Sequence, residues 1–129
     1  MHAVDTDVLV RYLTNDDPDQ AARARRLLAR EQVIVRLTVL LEAEWVLRAV
    51  YGFDARQVIA GLRGFAGLEN VAVENAATAA CALDWAEHGL DFADALNLAA
   101  TRAHRGFISF DKALARAARK PGAPVVKEP

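Results

Sequence analysis

Short apolar runs separated by helical stretches constrain this chain more than any other feature. The runs are "HAV", "QVIVR", "NVAVE", "FISF" and "APVVK". After "HAV", the stretch "TDVLVRYLT" carries Val8, Leu9, Tyr12 and Leu13 at helical spacing. A second helix opens at "NDDPDQ", with Asp17 as N-cap and Pro18 at the first helical position. "LTVLLEAEWVLRAVYG" predicts a helix from near Thr38, closed by Gly52, and Asp54 caps the next one. After "NVAVE" the pattern predicts helices from Asn75 to Gly89 and from Asp91 to Gly106, and "DKALARAARK" predicts a short one after "FISF". Strands joined through helices need crossover connections. The predicted fold is therefore α/β, with a mostly parallel sheet and helices on both of its faces.

A length of 129 residues predicts one domain, 1–129, and a hydrophobic fraction of 53% supplies a sizeable core. No apolar run approaches the roughly 18 residues of a membrane helix. No basic stretch followed by an apolar block opens the chain, which argues against a secretory signal and for the cytoplasm. Cys81 is the sole cysteine, which excludes an internal disulfide and a multi-cysteine zinc site; its apolar surroundings predict a small buried residue. A formal net charge of -1 argues against a protein that coats nucleic acid. His2, His88 and His104 lack paired-ligand spacing, and there is no glycine-rich phosphate loop. Ser109 stands without a nucleophile elbow.

The residues just after each strand carry the chemistry. In open α/β sheets ligands bind beyond the carboxyl ends of the strands. Asp5 ends the first run, Glu42 lies in the early turns of the helix after the second, and Asp111 ends "FISF". Asp94 lies in the first turn of the helix opened by "GLDFADAL", three residues after Asp91. Each acid alone has a structural explanation, as a helix cap or a partner for a helix dipole. Together they ask for more, because Asp5 and Asp94 sit in apolar text with no Lys or Arg beside them, and an unpaired buried carboxylate is costly. A hard divalent cation with oxygen ligands is the physical solution. Mg²⁺ or Mn²⁺ held by carboxylates leaves room for a phosphate oxygen and activates water.

These segments resemble a PIN domain, in particular the VapC-type toxin of bacterial toxin–antitoxin pairs. "VDTDVLVRYLTNDDP", "LTVLLEAEWVLRAVYGF", "GLDFADALNLAA" and "FISFDKAL" fall in the family's order over nearly the whole chain. The resemblance implies a three-layer α/β/α sandwich and Mg²⁺- or Mn²⁺-dependent endoribonuclease activity on an RNA substrate. It also implies a homodimer and inhibition by a small VapB-like antitoxin. The family's acids fall on Asp5, Glu42, Asp94 and Asp111, with Asp5, Asp94 and Asp111 as metal ligands and Asp91 as an auxiliary acid. Thr6 and Ser109 match the small hydroxyl residues that hold the site. Position 7, often Asn in such toxins, is Asp7 here. Tyr12, Leu13, Trp45, Val46, Tyr51 and Phe53 are either plain core or, as the resemblance implies, part of an apolar groove for the antitoxin's helix.

Two other functions compete. "HAVDTDVL" also resembles the aspartate-nucleophile motif of haloacid-dehalogenase-type phosphatases, with Asp5 taking the phosphoryl group and Asp7 as acid–base. Against this, Leu9 replaces the usual hydroxyl residue, and Lys112, Lys120 and Lys127 all lie near the end. The second competitor is a PIN-like domain that grips RNA or protein without cleaving. Arg23, Arg26 and Arg30 share a helix face, read by default as solvated and otherwise as an RNA-backbone contact.

Overall fold

The structure is a computed structural model that describes residues 1–129. The fold is α/β, with seven helices and parallel strands, in agreement with the three-layer α/β/α expectation. The chain divides into two compact units, Met1–Ala76 and Ala77–Pro129.

The first unit holds β1 (His2–Ala3), α1 (Thr6–Thr14), α2 (Pro18–Arg30), β2 (Val33–Val35), α3 (Leu37–Ala49), α4 (Ala55–Ala66) and β3 (Val71–Val73). Its sheet has the order β1-β2-β3 and is parallel throughout, with His2 opposite Val33 and Val33 opposite Val71. Two more bonds lengthen the ladder: Val4 N–H donates to Ile34 O at 3.1 Å and Glu74 N–H to Val35 O at 2.9 Å. Central β2 buries Val33 and Val35 completely, as a strand covered by crossover helices must. Leu9, Leu40, Leu62 and Phe65 complete this core.

Local chemistry sets the helix ends. Asp17 accepts from Gln20 N–H at 3.1 Å with Pro18 at the start of α2, as the sequence predicts. Asp54 and Gln57 form a reciprocal capping box on α4. After α3, Gly52 takes φ +74°, a conformation that a side chain disfavours. The start of α3 is less ordinary. Arg36 is its N-cap but makes no side-chain cap bond. Glu74, just past β3, serves instead: it accepts from Leu37 N–H at 3.3 Å and from Arg36 Nε at 3.1 Å.

The second unit holds α5 (Ala76–Glu87), which starts at the boundary, then α6 (Phe92–Ala100), β4 (Phe107–Ile108), α7 (Lys112–Ala117) and β5 (Val126–Lys127). β4 and β5 pair in parallel, Phe107 opposite Val126. Gly106 lies close to the β5 side, where a Cβ would stand 3.0 Å from Val125 O and would require that backbone to give by a few tenths of an ångström. Helix α6 is shorter than the sequence predicts, stopping at Ala100 rather than Gly106. The helix tightens at its end, with Thr101 N–H donating to Leu98 O at 3.1 Å and Arg102 N–H to Ala99 O at 3.5 Å. The Thr101 hydroxyl donates to Leu98 O at 3.1 Å and Arg102 Nε to Ala99 O at 3.0 Å. These side-chain bonds add to the backbone bonds on the same two carbonyls.

Replacing Asp54 by Ala removes the capping box and should cost about 1 kcal/mol of stability. Replacing Asp19, whose exposed pairing with Arg23 spans 4.0 Å, should change stability by less than about 0.5 kcal/mol. Urea titrations of the three proteins make the comparison.

Candidate active site

In the first unit, Asp5 follows β1 and caps α1, its Oδ1 accepting from Thr6 N–H at 2.8 Å. Thr6 is buried beneath it. Glu42 projects from α3, one turn into the helix after β2. Asp5, Thr6 and Glu42 line one cavity of about 370 Å³, together with Asp7, Arg11 and Tyr51. Parallel pairing of β1 and β2 sends both chains out of the same edge of the sheet, which is why residues far apart in sequence share this cavity.

In the second unit, Asp91 caps α6, its Oδ2 accepting from Asp94 N–H at 3.2 Å. Asp111 caps α7, its Oδ1 accepting from Leu114 N–H at 2.9 Å. Ser109 Oγ accepts from Asp111 N–H at 3.0 Å and so fixes the turn that presents this acid. Asp94 is half-buried in the first turn of α6. Burial, and then the charges of Asp91 and Asp111, hold its carboxyl above the ordinary carboxylate value.

The expectation of buried acids needs correction. Asp5, Glu42, Asp91 and Asp111 are exposed, and only Asp94 is partly withdrawn from water. The apolar text around Asp5 is buried, as at Val4, Leu9 and Val10, but the chain emerges at the strand end and carries the carboxylate out with it. The capping roles of Asp5, Asp91 and Asp111 are real, and each cap bond uses one carboxylate oxygen. No group of three or more Asp, Glu, His or Cys side chains forms a ready-made metal cage. The donor chemistry nevertheless suits a hard cation. All candidate donors are carboxylate oxygens, and two neighbouring charges already destabilise the ionised form of Asp94.

A family model for the PIN domain matches residues 3–120. The chain belongs to the PIN domain family. The matched span contains Asp5, Glu42, Asp91, Asp94 and Asp111 and runs through both units of this PIN domain. No curated protein matches the chain. PIN domains are typically nucleases acting on RNA.

Exposure sorts the six groove candidates. Tyr12 and Leu13 are partly buried; Tyr12 meets Phe65 edge-on at 5.6 Å, and Leu13 lies beside Gly61. Trp45 is 55% exposed, and Phe53 is also exposed, stacked on Tyr51 at 6.2 Å. Val46 is partly buried. Sequence patterning does not single out Val50, 65% exposed, although it follows Val46 by one helical turn. It also misses Glu74. "VAVE" has the same apolar-run-then-acid form as "HAVD", but its carboxylate is taken up by Arg36 and Leu37. Cys81 is only partly buried, and desolvation raises its thiol above the ordinary value, which makes it a poor nucleophile near neutral pH.

The raised Asp94 carboxyl has a definite pH signature. The folded protein holds this proton more tightly than the unfolded chain does. Its contribution to stability is therefore fully present below the unfolded carboxylate value and is lost as pH rises through the raised folded value. The α6 dipole favours the charge, but the direction of the shift means that burial and repulsion win. Asp94→Asn should stabilise the metal-free protein near neutral pH by up to about 1 kcal/mol, since the side chain keeps some water. The gain should vanish in acid. Denaturation in EDTA across pH measures it, and a variant less stable than wild type at neutral pH would make Asp94 a simple helix-start residue.

Proposed function

We propose that this PIN domain is a Mg²⁺- or Mn²⁺-dependent endoribonuclease that serves as the toxin of a toxin–antitoxin pair in the cytoplasm. The observation that carries the catalytic part is the set of acids within the PIN match: Asp5 and Glu42 on one cavity beyond the strand ends, and Asp94 in the first turn of α6 with Asp91 and Asp111 as like-charged neighbours. Asp5, Asp94 and Asp111 would hold the cation. When bound, it supplies an activated water and neutralises charge on the phosphodiester. Glu42 orients and accepts protons on the same cavity wall. Thr6 and Ser109 hold Asp5 and Asp111 through the backbone and hydroxyl contacts described above. Cleavage of this kind leaves a 5′-phosphate and a 3′-hydroxyl.

Asp5→Asn and Asp94→Asn should each lower cleavage by about two to four orders of magnitude. Excess EDTA should abolish it, and full cleavage in EDTA would refute the metal-dependent reading. The same assay separates the second reading, a PIN-like domain that binds RNA or protein without cleaving. That reading is favoured by one observation, the helix-cap roles of Asp5, Asp91 and Asp111. It requires binding with no cleavage under any metal condition.

The toxin role rests on the family resemblance and on the exposed apolar side chains of Trp45, Val50 and Phe53. An amphipathic helix of a VapB-like antitoxin would cover them together with Val46, and a basic side chain from it would enter the acidic cavity. The active protein is proposed to be a homodimer. Expression alone should slow growth of the native host, and co-expression of the cognate antitoxin should restore it. Unimpaired growth of the native host with wild type alone, identical to that with Asp94→Asn, would exclude the toxin role.

A further inference from the structure

Arg11 sits on the same cavity as Asp5, Asp7 and Glu42, yet it ion-pairs with none of them. Asp7 is one helical turn away, where such a pair would be easy to form. Other groups fix the guanidinium instead. Its Nε donates to Gln20 Oε1 at 2.9 Å, and its Nη1 donates to the Tyr51 hydroxyl, also at 2.9 Å. The Tyr51 hydroxyl in turn donates to Asp16 Oδ2 at 2.9 Å, which stands 3.7 Å from Nη1. The Tyr51 ring is steadied by near-parallel stacking on Phe53, with 6° between the planes. A cation is thus oriented from α2 and from the turn after α3, and Nη2 is outside this network.

With Nε and one Nη1 N–H engaged, Nη2 is left to make charge-assisted bonds to a phosphate oxygen. A cavity with three carboxylates repels a phosphodiester unless something in it attracts one. Arg11 is the only basic side chain on that cavity. We propose that Arg11, oriented by Gln20 and Tyr51, is a substrate-positioning residue that grips a backbone phosphate of the RNA beside the acids. This rests on the ribonuclease reading for its substrate, but not on the metal, because the grip needs only Arg11.

The test is binding of a fluorescein-labelled single-stranded oligoribonucleotide of mixed sequence, in EDTA, over a range of salt. Arg11→Met should weaken binding about tenfold and lower the salt slope by about one ion. Arg11→Lys should recover part of the affinity, because it keeps the charge and loses the fork. Arg56→Met, on the exposed side of α4, controls for loss of a positive charge. With Mg²⁺ present, Arg11→Lys should raise KM more than it lowers kcat. Equal affinity and slope for Arg11→Met and Arg56→Met would overturn the proposal. Should Arg11→Met not fold, the wild-type protein decides: titration with dimethyl phosphate should move the Arg11 Nε–H resonance, assigned by its loss in Arg11→Lys, and an unmoved resonance overturns the proposal. Cleavage by wild type that is indifferent to Arg11 sinks the anchor alone. Arg11-dependent binding without cleavage in Mg²⁺ sinks the ribonuclease reading and leaves the anchor standing.

Discussion

Parallel pairing of β2 with both of its neighbours is the constraint on which the first unit depends. A parallel neighbour cannot be reached by a tight turn, so each join has to cross over through helices. α1 and α2 fill the first crossover, and α3 and α4 fill the second. All three strands then end at one edge. Asp5, Glu42 and Glu74 come to that edge because of chain direction, not because they attract one another. Complete burial of Val33 and Val35 gives the arrangement its hydrophobic stabilisation.

The acids do two things at once. Asp5, Asp91 and Asp111 each satisfy a backbone N–H at a helix start. A capping carboxylate has two oxygens and needs only one for the cap. Its backbone role fixes where the other oxygen can go, which is the sort of positioning that a ligand set requires. Asp94 differs, since it lies inside the first turn, is half-buried and feels two like charges. Structural and chemical explanations of these residues are therefore compatible, although capping alone would account for Asp5, Asp91 and Asp111.

Much of the fold was legible because its signals are local. Caps at Asp17 and Asp54, the short apolar runs and the turn at Gly52 depend on a few neighbouring residues each. The end of α6 was not legible in periodicity, because the last turn tightens at Thr101 and Arg102 within a stretch that still reads as helical. The start of α3 was hidden for a different reason: its cap, Glu74, is 37 residues away in sequence. Asp5, Glu42 and Asp111 could be found from their places after strands, and Asp91 and Asp94 from the helix start they share, whereas their exposure could not. Apolar text predicts that the backbone nearby is buried, and Asp5 leaves the sheet at that very point. Arg11 carries no such local signal, because its partners, Gln20 and Tyr51, come from α2 and the turn after α3.

Glu74 has a mechanical consequence. A helix held at its start by its own N-cap can turn about its axis as that loop relaxes. α3 is instead clamped at Leu37 by a carboxylate carried on the sheet, one residue beyond β3. The azimuth of α3 is thereby tied to the β2–β3 register. Each residue of slippage would swing Glu42 by about 100° around the helix axis and out of the cavity it shares with Asp5. A carboxylate at the end of β3 thus works as an indexing pin for an acid five residues further along α3.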